Sequence, residues 1–550
     1  MAKGFQMRNS SNLLVVLCLV SVSTAGLGLS SAWARESTAP RSSSDRTLTT
    51  AQWRSDLDQL TSSLRETHPG LFHRVPEEEF EDSVDTLRAE LPELDEHQIV
   101  LRMAALLAAV GDGHTRLTLP RDHRSGGPLL GHSTDPEVNI DLGFHQLPLE
   151  FDLFDDGLYI TRATRAHQAL IGAQIRHVGN LDAAAALEAV RPVTYADNEQ
   201  TFRLLAPDRL TLAEILVGLG ITDSADDIPL QVVLPNGEDL SVTVDPISED
   251  KVEWVSHQLA QSMRPVWLEE TTEMSRWEYS TPYRIRFLDD DNTVYVQINE
   301  IDNDSAKPLA EFMPSAIALA ETRAADRFVL DLRKNHGGSG DWNRAILLAL
   351  LQSEYVNEFG RLYVLTGRRT FSAAIMLVGL LERWTEAIFV GEPTGSALSQ
   401  FGDPKKFQLD NSGLTVRVSS IFWHSWLAGD PRPSYTPHIV VEYSGRDFFE
   451  GHDPVLKAAV GHRVATSTSD RFRQLLEGDL NHAAIWALKQ MTAPTASSRE
   501  LEVALDLAGQ KFLDEGRLEM GRYSYLIGLS LFPGSERLEV GLDKIPKTEN

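Results

Sequence analysis

A serine stands between an apolar strand and an apolar helix in the stretch LTGRRTFSAAIMLVGLLERW, which runs from Leu365 to Trp384. A hydroxyl at a helix start lies near unpaired backbone N–H groups and the positive end of the helix dipole. Those donors can stabilise the oxyanion that forms when the hydroxyl attacks a carbonyl. Serine is also a common N-cap residue. Taken alone, Ser372 favours a helix cap, and a nucleophile is the alternative.

A glycine-rich turn follows a second apolar strand in RFVLDLRKNHGGSG. Gly337 and Gly338 permit positive φ and close approach of the backbone to another group. The functional interpretation is an oxyanion donor at one of these two glycines, and the segment alone favours an ordinary turn. A phosphate-binding loop is excluded because no Lys-Ser/Thr pair follows.

A histidine that could serve as a base occurs in GDGHTRLTLP, just after a buried helix. The imidazole of His114 titrates in the range that activates a serine hydroxyl. This segment alone favours a surface histidine. A metal site built from His114, His123, His132 and His145 is not predicted, because their spacings fit no standard zinc motif.

Helical segments precede these motifs. Residues 35–48 are predicted to be a linker, and residues 49–120 an N-terminal helical domain with three amphipathic or buried helices. Residues 121–250 are β-rich and include a hairpin with an Asn-Gly turn, IPLQVVLPNGEDLSVTVDP. Their order of strands and helix resembles a degenerate PDZ-like peptide-binding module. Residues 251–285 are predicted to connect this region to the next.

Strands and helices alternate through residues 286–465, which predicts an α/β domain with helical crossovers. A hairpin with its turn at residues 411–413 interrupts this alternation. Residues 466–550 are helical, and their helix-turn-helix rhythm resembles a degenerate tetratricopeptide unit. A helical cap docked on the preceding domain explains this tail equally well. Under the first interpretation the tail binds a protein partner.

The N-terminus has the features of a signal peptide. A positive start and a short apolar run precede Ala32 and Ala34 in the A-x-A arrangement, so cleavage is expected after Ala34 and residues 1–34 are removed. The one cysteine, Cys18, lies in that run, which excludes disulfides and thiol catalysis in the mature chain. The sequence therefore predicts an exported protein, periplasmic or extracellular, without a stable membrane anchor. The formal charge of −28 argues against nucleic-acid binding.

The motifs GDGHTRL, FVLDLRKNHGG, TFSAA and FVGEPTG occur in this order. As a set they resemble the tail-specific or carboxyl-terminal-processing serine peptidases, and most closely the tricorn-core-like branch. The resemblance spans residues 50 to 460. It implies a crotonase-like or ClpP-like α/β core at residues 286–465. It also implies that Ser372 is the nucleophile, that His114 is the general base, and that the amides of Gly338 and Ala373 form the oxyanion hole.

The sequence departs from one branch of this family. Ser-Lys members have a lysine shortly after the GE-x-T segment, whereas this chain has Ser396 there, and Lys405 and Lys406 lie too far along. His114 fits the tricorn-like alternative, in which a further group must hold the imidazole in one tautomer.

Four residues are candidates for this orienting group, and the sequence does not rank them: Asp112, Thr115, Glu392 and Glu442.

The predicted function is an exported serine peptidase that hydrolyses peptide or protein substrates through a Ser372 acyl-enzyme, with no cofactor. The alternative is a non-catalytic protein on the same scaffold that binds peptides or apolar ligands, since a fold does not fix a function. Whether the chain forms a homo-oligomer is left open.

Overall fold

A six-stranded sheet forms the centre of the region in which strands and helices alternate. We describe a computed structural model of the chain. It describes residues 48–119, 143–248, 282–304, 307–427, 429–465, 467–492 and 498–546. The predicted signal peptide, nearly all of the linker and most of the connector lie outside these residues, as do His123 and His132. Thr47–Asn550 forms one compact unit.

The helices of the described residues are α1 (Thr50–Thr67), α2 (Glu77–Glu90), α3 (Glu96–Ala109), α4 (Ala183–Ala189), α5 (Glu199–Arg209), α6 (Ala213–Gly218), α7 (Leu309–Arg323), α8 (Asn343–Gln352), α9 (Ala373–Trp384), α10 (Gly445–Glu450), α11 (Pro454–Gly461), α12 (Thr468–Gly478), α13 (Leu480–Thr492), α14 (Ser498–Asp514), α15 (Leu518–Leu531) and α16 (Glu536–Asp543). Within the described ranges, no helix combines the length and the apolar content that a membrane span needs.

The strands of the described residues are β1 (Arg116–Leu117), β2 (His145–Gln146), β3 (Leu149–Phe154), β4 (Gly157–Ala163), β5 (Gln174–Val178), β6 (Leu181–Asp182), β7 (Ile228–Val233), β8 (Asp239–Val244), β9 (Ile247–Ser248), β10 (Tyr283–Leu288), β11 (Thr293–Ile298), β12 (Arg327–Asp331), β13 (Leu362–Thr366), β14 (Ile388–Gly391), β15 (Gln400–Gly402), β16 (Lys405–Gln408), β17 (Thr415–Val418), β18 (Ile421–Trp423) and β19 (Ile439–Val440).

The central sheet has the order β10-β11-β12-β13-β14-β19, and every neighbouring pair except β10–β11 is parallel. Its strands are apolar throughout because both faces are covered. Phe328 and Leu330 share a buried cluster with residues of α7, α8 and α9, whereas Val329 packs on the other face with Val455 of α11. The α/β architecture predicted for this region is therefore confirmed, with helices at the predicted crossovers.

The N-terminal helices and the β-rich region bury their side chains in one shared cluster. Leu57 of α1, Met103 of α3 and Phe151 of β3 belong to it, together with Val416 of β17. The β-rich sheet has the order β3-β4-β5-β7-β8, and its β7–β8 hairpin carries the predicted Asn-Gly turn. The division of this region into a helical domain and a PDZ-like domain stays a prediction.

A hairpin inserted between β14 and β19 of the central sheet pairs with a strand of the N-terminal region. β16 and β17 are antiparallel and are joined by the predicted turn at residues 411–413. β17 also pairs with β1, which sets Leu117 opposite Val416. Because β1 begins two residues after His114, this pairing joins the His114 loop to the β16–β17 hairpin.

The helical tail has its own apolar cluster, which includes Phe472, Phe512 and Tyr525. It also contacts the core. Lys489 Nζ donates to the Thr385 carbonyl at 2.8 Å, and the rings of His438 and His482 lie 4.5 Å apart. These contacts accord with a tail docked on the core, and a binding role for its remaining surface stays a prediction.

Candidate active site

Ser372 occupies a strained turn between β13 and α9. Its φ of 55° and ψ of −124° place it in a region that non-glycine residues rarely adopt. Its hydroxyl makes no capping hydrogen bond to α9, although the residue stands at the N-cap position. Gln400 Nε2 donates to the Ser372 carbonyl at 3.0 Å, and Asn343 Nδ2 donates to the Ala373 carbonyl at 2.9 Å. The backbone is thus held while the hydroxyl is directed away from the helix.

The hydroxyl of Ser372 faces His114. Nε2 of His114 lies 3.0 Å from Ser372 Oγ, although 258 positions separate the two residues in sequence. The imidazole is buried, and the ring of Phe371 packs on it with centroids 4.6 Å apart. This is the geometry in which a histidine can take the proton of a serine hydroxyl.

The loop that carries His114 is organised by the Asp112 carboxylate. Asp112 Oδ1 accepts from the backbone N–H groups of His114 at 2.6 Å and Thr115 at 3.0 Å, and from Ser419 Oγ at 2.9 Å. Asp112 Oδ2 lies 2.9 Å from Nε2 of His68. Since the Gly70 N–H donates to His68 Nδ1 at 3.1 Å, it is Nε2 that carries the proton toward Asp112.

The electrostatics of the site keep the His114 imidazole neutral. Burial lowers the pKa of His114 to about 4, against the opposing effect of the Asp112 carboxylate. Burial of Asp112 acts to raise its pKa, but the hydrogen bond from His68 and the charge of His114 hold that pKa well below its usual range. A neutral imidazole beside an ionised carboxylate follows, which suits a general base over a wide range of pH.

The glycine turn after β12 lies directly against Ser372. A methyl group on Gly337 would fall 2.6 Å from Ser372 Cβ, 3.1 Å from Ser372 Oγ and 3.1 Å from the Ala373 nitrogen. Gly337 and Gly338 have φ of 116° and 123°, so both positions require glycine. Asn335 holds the turn, since its Oδ1 accepts from the Gly337 N–H at 2.9 Å. The N–H groups of Gly338 and Ala373 have no hydrogen-bond acceptor within the described part of the chain.

The four orienting candidates are placed differently. Asp112 accepts from the backbone N–H of His114, and the charge of the Asp112 carboxylate raises the pKa of the His114 imidazole. Thr115 Oγ1 accepts from the Ser419 N–H at 3.0 Å. Glu392 pairs with Arg368 at 2.7 Å, and the exposed Glu442 has its pKa raised by a hydrogen bond to Asp155.

None of these side chains bonds to the His114 ring in the described residues. Nδ1 of His114 is buried and makes no hydrogen bond of ideal geometry to the described residues. The backbone of Phe401 nevertheless raises the pKa of the imidazole, which is the effect of a carbonyl oxygen close to the ring.

The lysine alternatives lie on β16. Lys405 pairs with Val418 and Lys406 with Arg417, both on β17. Ser396, at the position where Ser-Lys members have a lysine, is buried. His145, the remaining described histidine of the metal hypothesis, pairs instead with Glu214, with Nδ1 2.7 Å from Oε1.

Several residues of the site were not recognised from the sequence. His68 belongs to a His-Pro-Gly segment that the pattern marks only as a helix end. Gln400 and Phe401 lie on a short strand without a motif. Asp197, which lies just before α5, contacts the His114 loop, since its Oδ1 accepts from the Gly113 N–H at 2.5 Å. A buried carboxylate that contacts the His114 loop leaves no periodic signal in the sequence, so only the structure reveals it.

Comparisons with known proteins identify the fold. No family model matches the sequence, and no curated protein matches it. The structure of mature CPAF complexed with lactacystin is 14% identical, with a TM-score of 0.51, and the match covers 76% of this chain and 100% of that one. Mature CPAF alone gives 14% identity, a TM-score of 0.50, and coverage of 76% and 98%. The photosystem II D1 C-terminal processing protease is 12% identical, with coverage of 72% and 94% and a TM-score of 0.34.

The similarity to CPAF establishes a shared fold across about three quarters of this chain. At the level of fold, the resemblance to tail-specific peptidases that the four motifs indicate is confirmed.

Proposed function

We propose that this protein is a serine peptidase in which Ser372 is the nucleophile and His114 the general base. The observation that carries the proposal is the 3.0 Å contact between Ser372 Oγ and His114 Nε2, made by a serine with φ of 55° that does not cap its helix. Strain of this kind costs about 1–3 kcal/mol and persists where the surrounding structure enforces it, typically at functional sites.

In the proposed reaction, His114 Nε2 takes the proton of Ser372 as Oγ bonds to the peptide carbonyl carbon. The N–H groups of Gly338 and Ala373 stabilise the oxyanion. The C–N bond then breaks as the imidazolium returns its proton to the leaving amine, which leaves an acyl-enzyme. Water, deprotonated by His114, attacks the ester and releases the acid and the serine hydroxyl.

The orienting role falls to the backbone rather than to a third acidic side chain. For Nε2 to accept a proton, Nδ1 must carry one, and the Phe401 carbonyl is the group whose effect on the imidazole pKa fits an acceptor there. Asp112 supports the same state by holding the His114 backbone and by its charge. Of the other candidate acids, Glu392 pairs with Arg368 and Glu442 shares a hydrogen bond with Asp155.

The substrates are peptides or proteins, and the enzyme acts after export if residues 1–34 are cleaved as their composition predicts. The crotonase-like, PDZ-like and tetratricopeptide-like assignments of the three regions remain part of this proposal. The alternative of a non-catalytic binding protein would not need a strained serine in contact with a neutral histidine.

The experiment is active-site labelling. The purified chain is treated with a fluorophosphonate, and the modified residue is located by peptide mass spectrometry in wild type, Ser372→Ala and His114→Ala. We expect an adduct on Ser372 in wild type, and we expect the rate at which it forms to fall by at least about 100-fold in His114→Ala. Ser396→Ala, which removes a buried serine of the same domain, serves as the control and should label as wild type does.

Two results would contradict the proposal. One is no adduct in protein whose circular dichroism shows that it is folded, which would favour the binding protein. The other is an adduct whose rate is unchanged in His114→Ala, which would exclude His114 as the base and leave Ser372 activated by another group.

A further inference from the structure

The two-stranded antiparallel sheet formed by β15 and β18 has two faces of different character. Its antiparallel register sets Gln400 opposite Trp423 and Gly402 opposite Ile421. Directly opposed residues, and residues two apart on one strand, project to the same side of a sheet. These four residues therefore share one face of the two-stranded sheet.

That face is directed at the Ser372–His114 pair. Gln400 Nε2 donates to the Ser372 carbonyl at 3.0 Å. A methyl group on Gly402 would lie 3.2 Å from Trp423 Cδ1 and 4.0 Å from His114 Cε1. The indole therefore packs directly on Gly402, on the side of the strand that borders the imidazole.

The part of this face formed by Ile421 and Trp423 is apolar and exposed, whereas Gln400 and Gly402 are buried. Ile421 is 41% exposed and Trp423 is 36% exposed. The indole is held in place, because its Nε1 donates to Asp403 Oδ2 at 2.6 Å. On the opposite face Phe401 and Phe422 pack with ring centroids 4.7 Å apart, which stabilises the two-stranded sheet. A fixed, exposed aromatic ring is a common anchor for a bound side chain, because little conformational entropy is lost on contact.

We propose that the surface formed by Gly402, Ile421 and Trp423 binds the side chain of the substrate residue that flanks the scissile bond. It selects peptides with a large aliphatic or aromatic residue at that position. The inference rests on the proposed function, which places a peptide at Ser372. The occupant is the substrate because the surface is continuous with the reacting atoms: His114 borders it and Gln400 joins it to Ser372.

The experiment measures selectivity. Two fluorogenic peptides that differ only in Phe or Ala at the residue preceding the cleaved bond, and a second pair that differs at the residue following it, are compared as kcat/KM. We expect wild type to prefer Phe over Ala in one pair by about 10- to 100-fold, and Trp423→Ala to reduce that ratio to within about threefold. Trp384→Ala, which removes an exposed tryptophan at the end of α9, should keep the ratio.

A second variant tests the same surface by displacing the indole. Gly402→Ala places a methyl group 3.2 Å from Trp423 Cδ1, which shifts the ring, and we expect it to lower kcat/KM for the Phe peptide more than for the Ala peptide. Equal losses for both peptides in Trp423→Ala, or a wild type without preference in either pair, would overturn the inference while fluorophosphonate labelling of Ser372 keeps the proposed function intact.

Binding of the same peptides to Ser372→Ala, followed by fluorescence anisotropy, covers the case in which labelling fails. A Phe preference in binding that Trp423→Ala removes would support the binding surface independently of the reaction, and no preference would overturn the inference about the surface. If sedimentation shows a wild-type dimer that Trp423→Ala dissociates, the occupant is a second copy and the inference is wrong.

Discussion

Nε2 of His68 lies 2.9 Å from Oδ2 of Asp112, and the other oxygen of that carboxylate accepts from the backbone N–H of His114. Both partners of the first contact are almost fully buried. A side chain at the end of α1 therefore helps to fix the loop that presents the proposed base. A buried carboxylate that lost one of these donors would keep its charge without full compensation, which is costly.

Replacing His68 should reduce catalysis without abolishing folding. In His68→Gln we expect kcat to fall by about 10- to 100-fold while KM changes little, because the His114 loop loses its precise position relative to Ser372. Steady-state kinetics with a fluorogenic peptide measures both constants. His452→Gln is the control, since His452 is exposed and its Nδ1 faces Asp447 and Glu450. A rise in KM at constant kcat would show instead that His68 contributes to substrate binding.

The pH dependence of labelling should report His114. The imidazole must be neutral to act, so we expect the fluorophosphonate reaction to slow on the acid side with an apparent pKa of about 4. Because the Asp112 charge raises the pKa of His114, Asp112→Asn should move this acid limb to lower pH. Glu78→Gln, on the exposed side of α2, should leave it in place. A limb that moves to higher pH in Asp112→Asn would contradict the assignment.

The glycine turn can be tested by adding one methyl group. Gly337→Ala would place Cβ against Ser372 and force a φ of 116° on alanine, so we expect kcat to fall by at least about 100-fold. Gly340→Ala is the matched control in the same turn, since its Cβ would lie 3.5 Å from Met376 Cε, an ordinary contact. Kinetics that remain near wild type in Gly337→Ala would exclude a role for this turn in the oxyanion hole.

Asp197 should make the stability of the protein fall as pH rises. Burial and the neighbouring Asp112 carboxylate raise the pKa of Asp197 to about 8, whereas an unfolded aspartate titrates near 4. Between about pH 4 and pH 8 the folded protein holds a proton that the unfolded chain has released, so the free energy of unfolding decreases with pH in this window. Asp197→Asn keeps an acceptor for the Gly113 N–H and cannot ionise.

Thermal unfolding at pH 5 and at pH 9 measures this effect. We expect the midpoint temperature of unfolding of Asp197→Asn to rise relative to that of wild type between pH 5 and pH 9, because only wild type loses stability when Asp197 ionises. Asp85→Asn, at a position whose side chain is largely exposed, should show the same difference from wild type at both values. A difference between Asp197→Asn and wild type that does not change with pH would mean that Asp197 is ionised throughout.

The sequence by itself determined the local elements and the residue types of the site. Apolar strands that alternate with helices predicted the α/β core, because that periodicity depends on neighbouring residues only. The hairpin turn at residues 411–413 is equally local. The motifs around Ser372, His114 and Gly338 were recognisable because their residue types stay together along the chain.

Only the tertiary structure decided which of these residues meet. The contact between His114 and Ser372 joins residues 258 positions apart, and β1, which follows His114, pairs with the distant β17. Strand register between distant segments leaves no trace in local periodicity. The same applies to His68 against Asp112, to the backbone of Phe401 beside His114, and to Trp423 beside Gly402. Each is a long-range contact set by how whole elements pack, so the groups that tune and border the site became visible only in the fold.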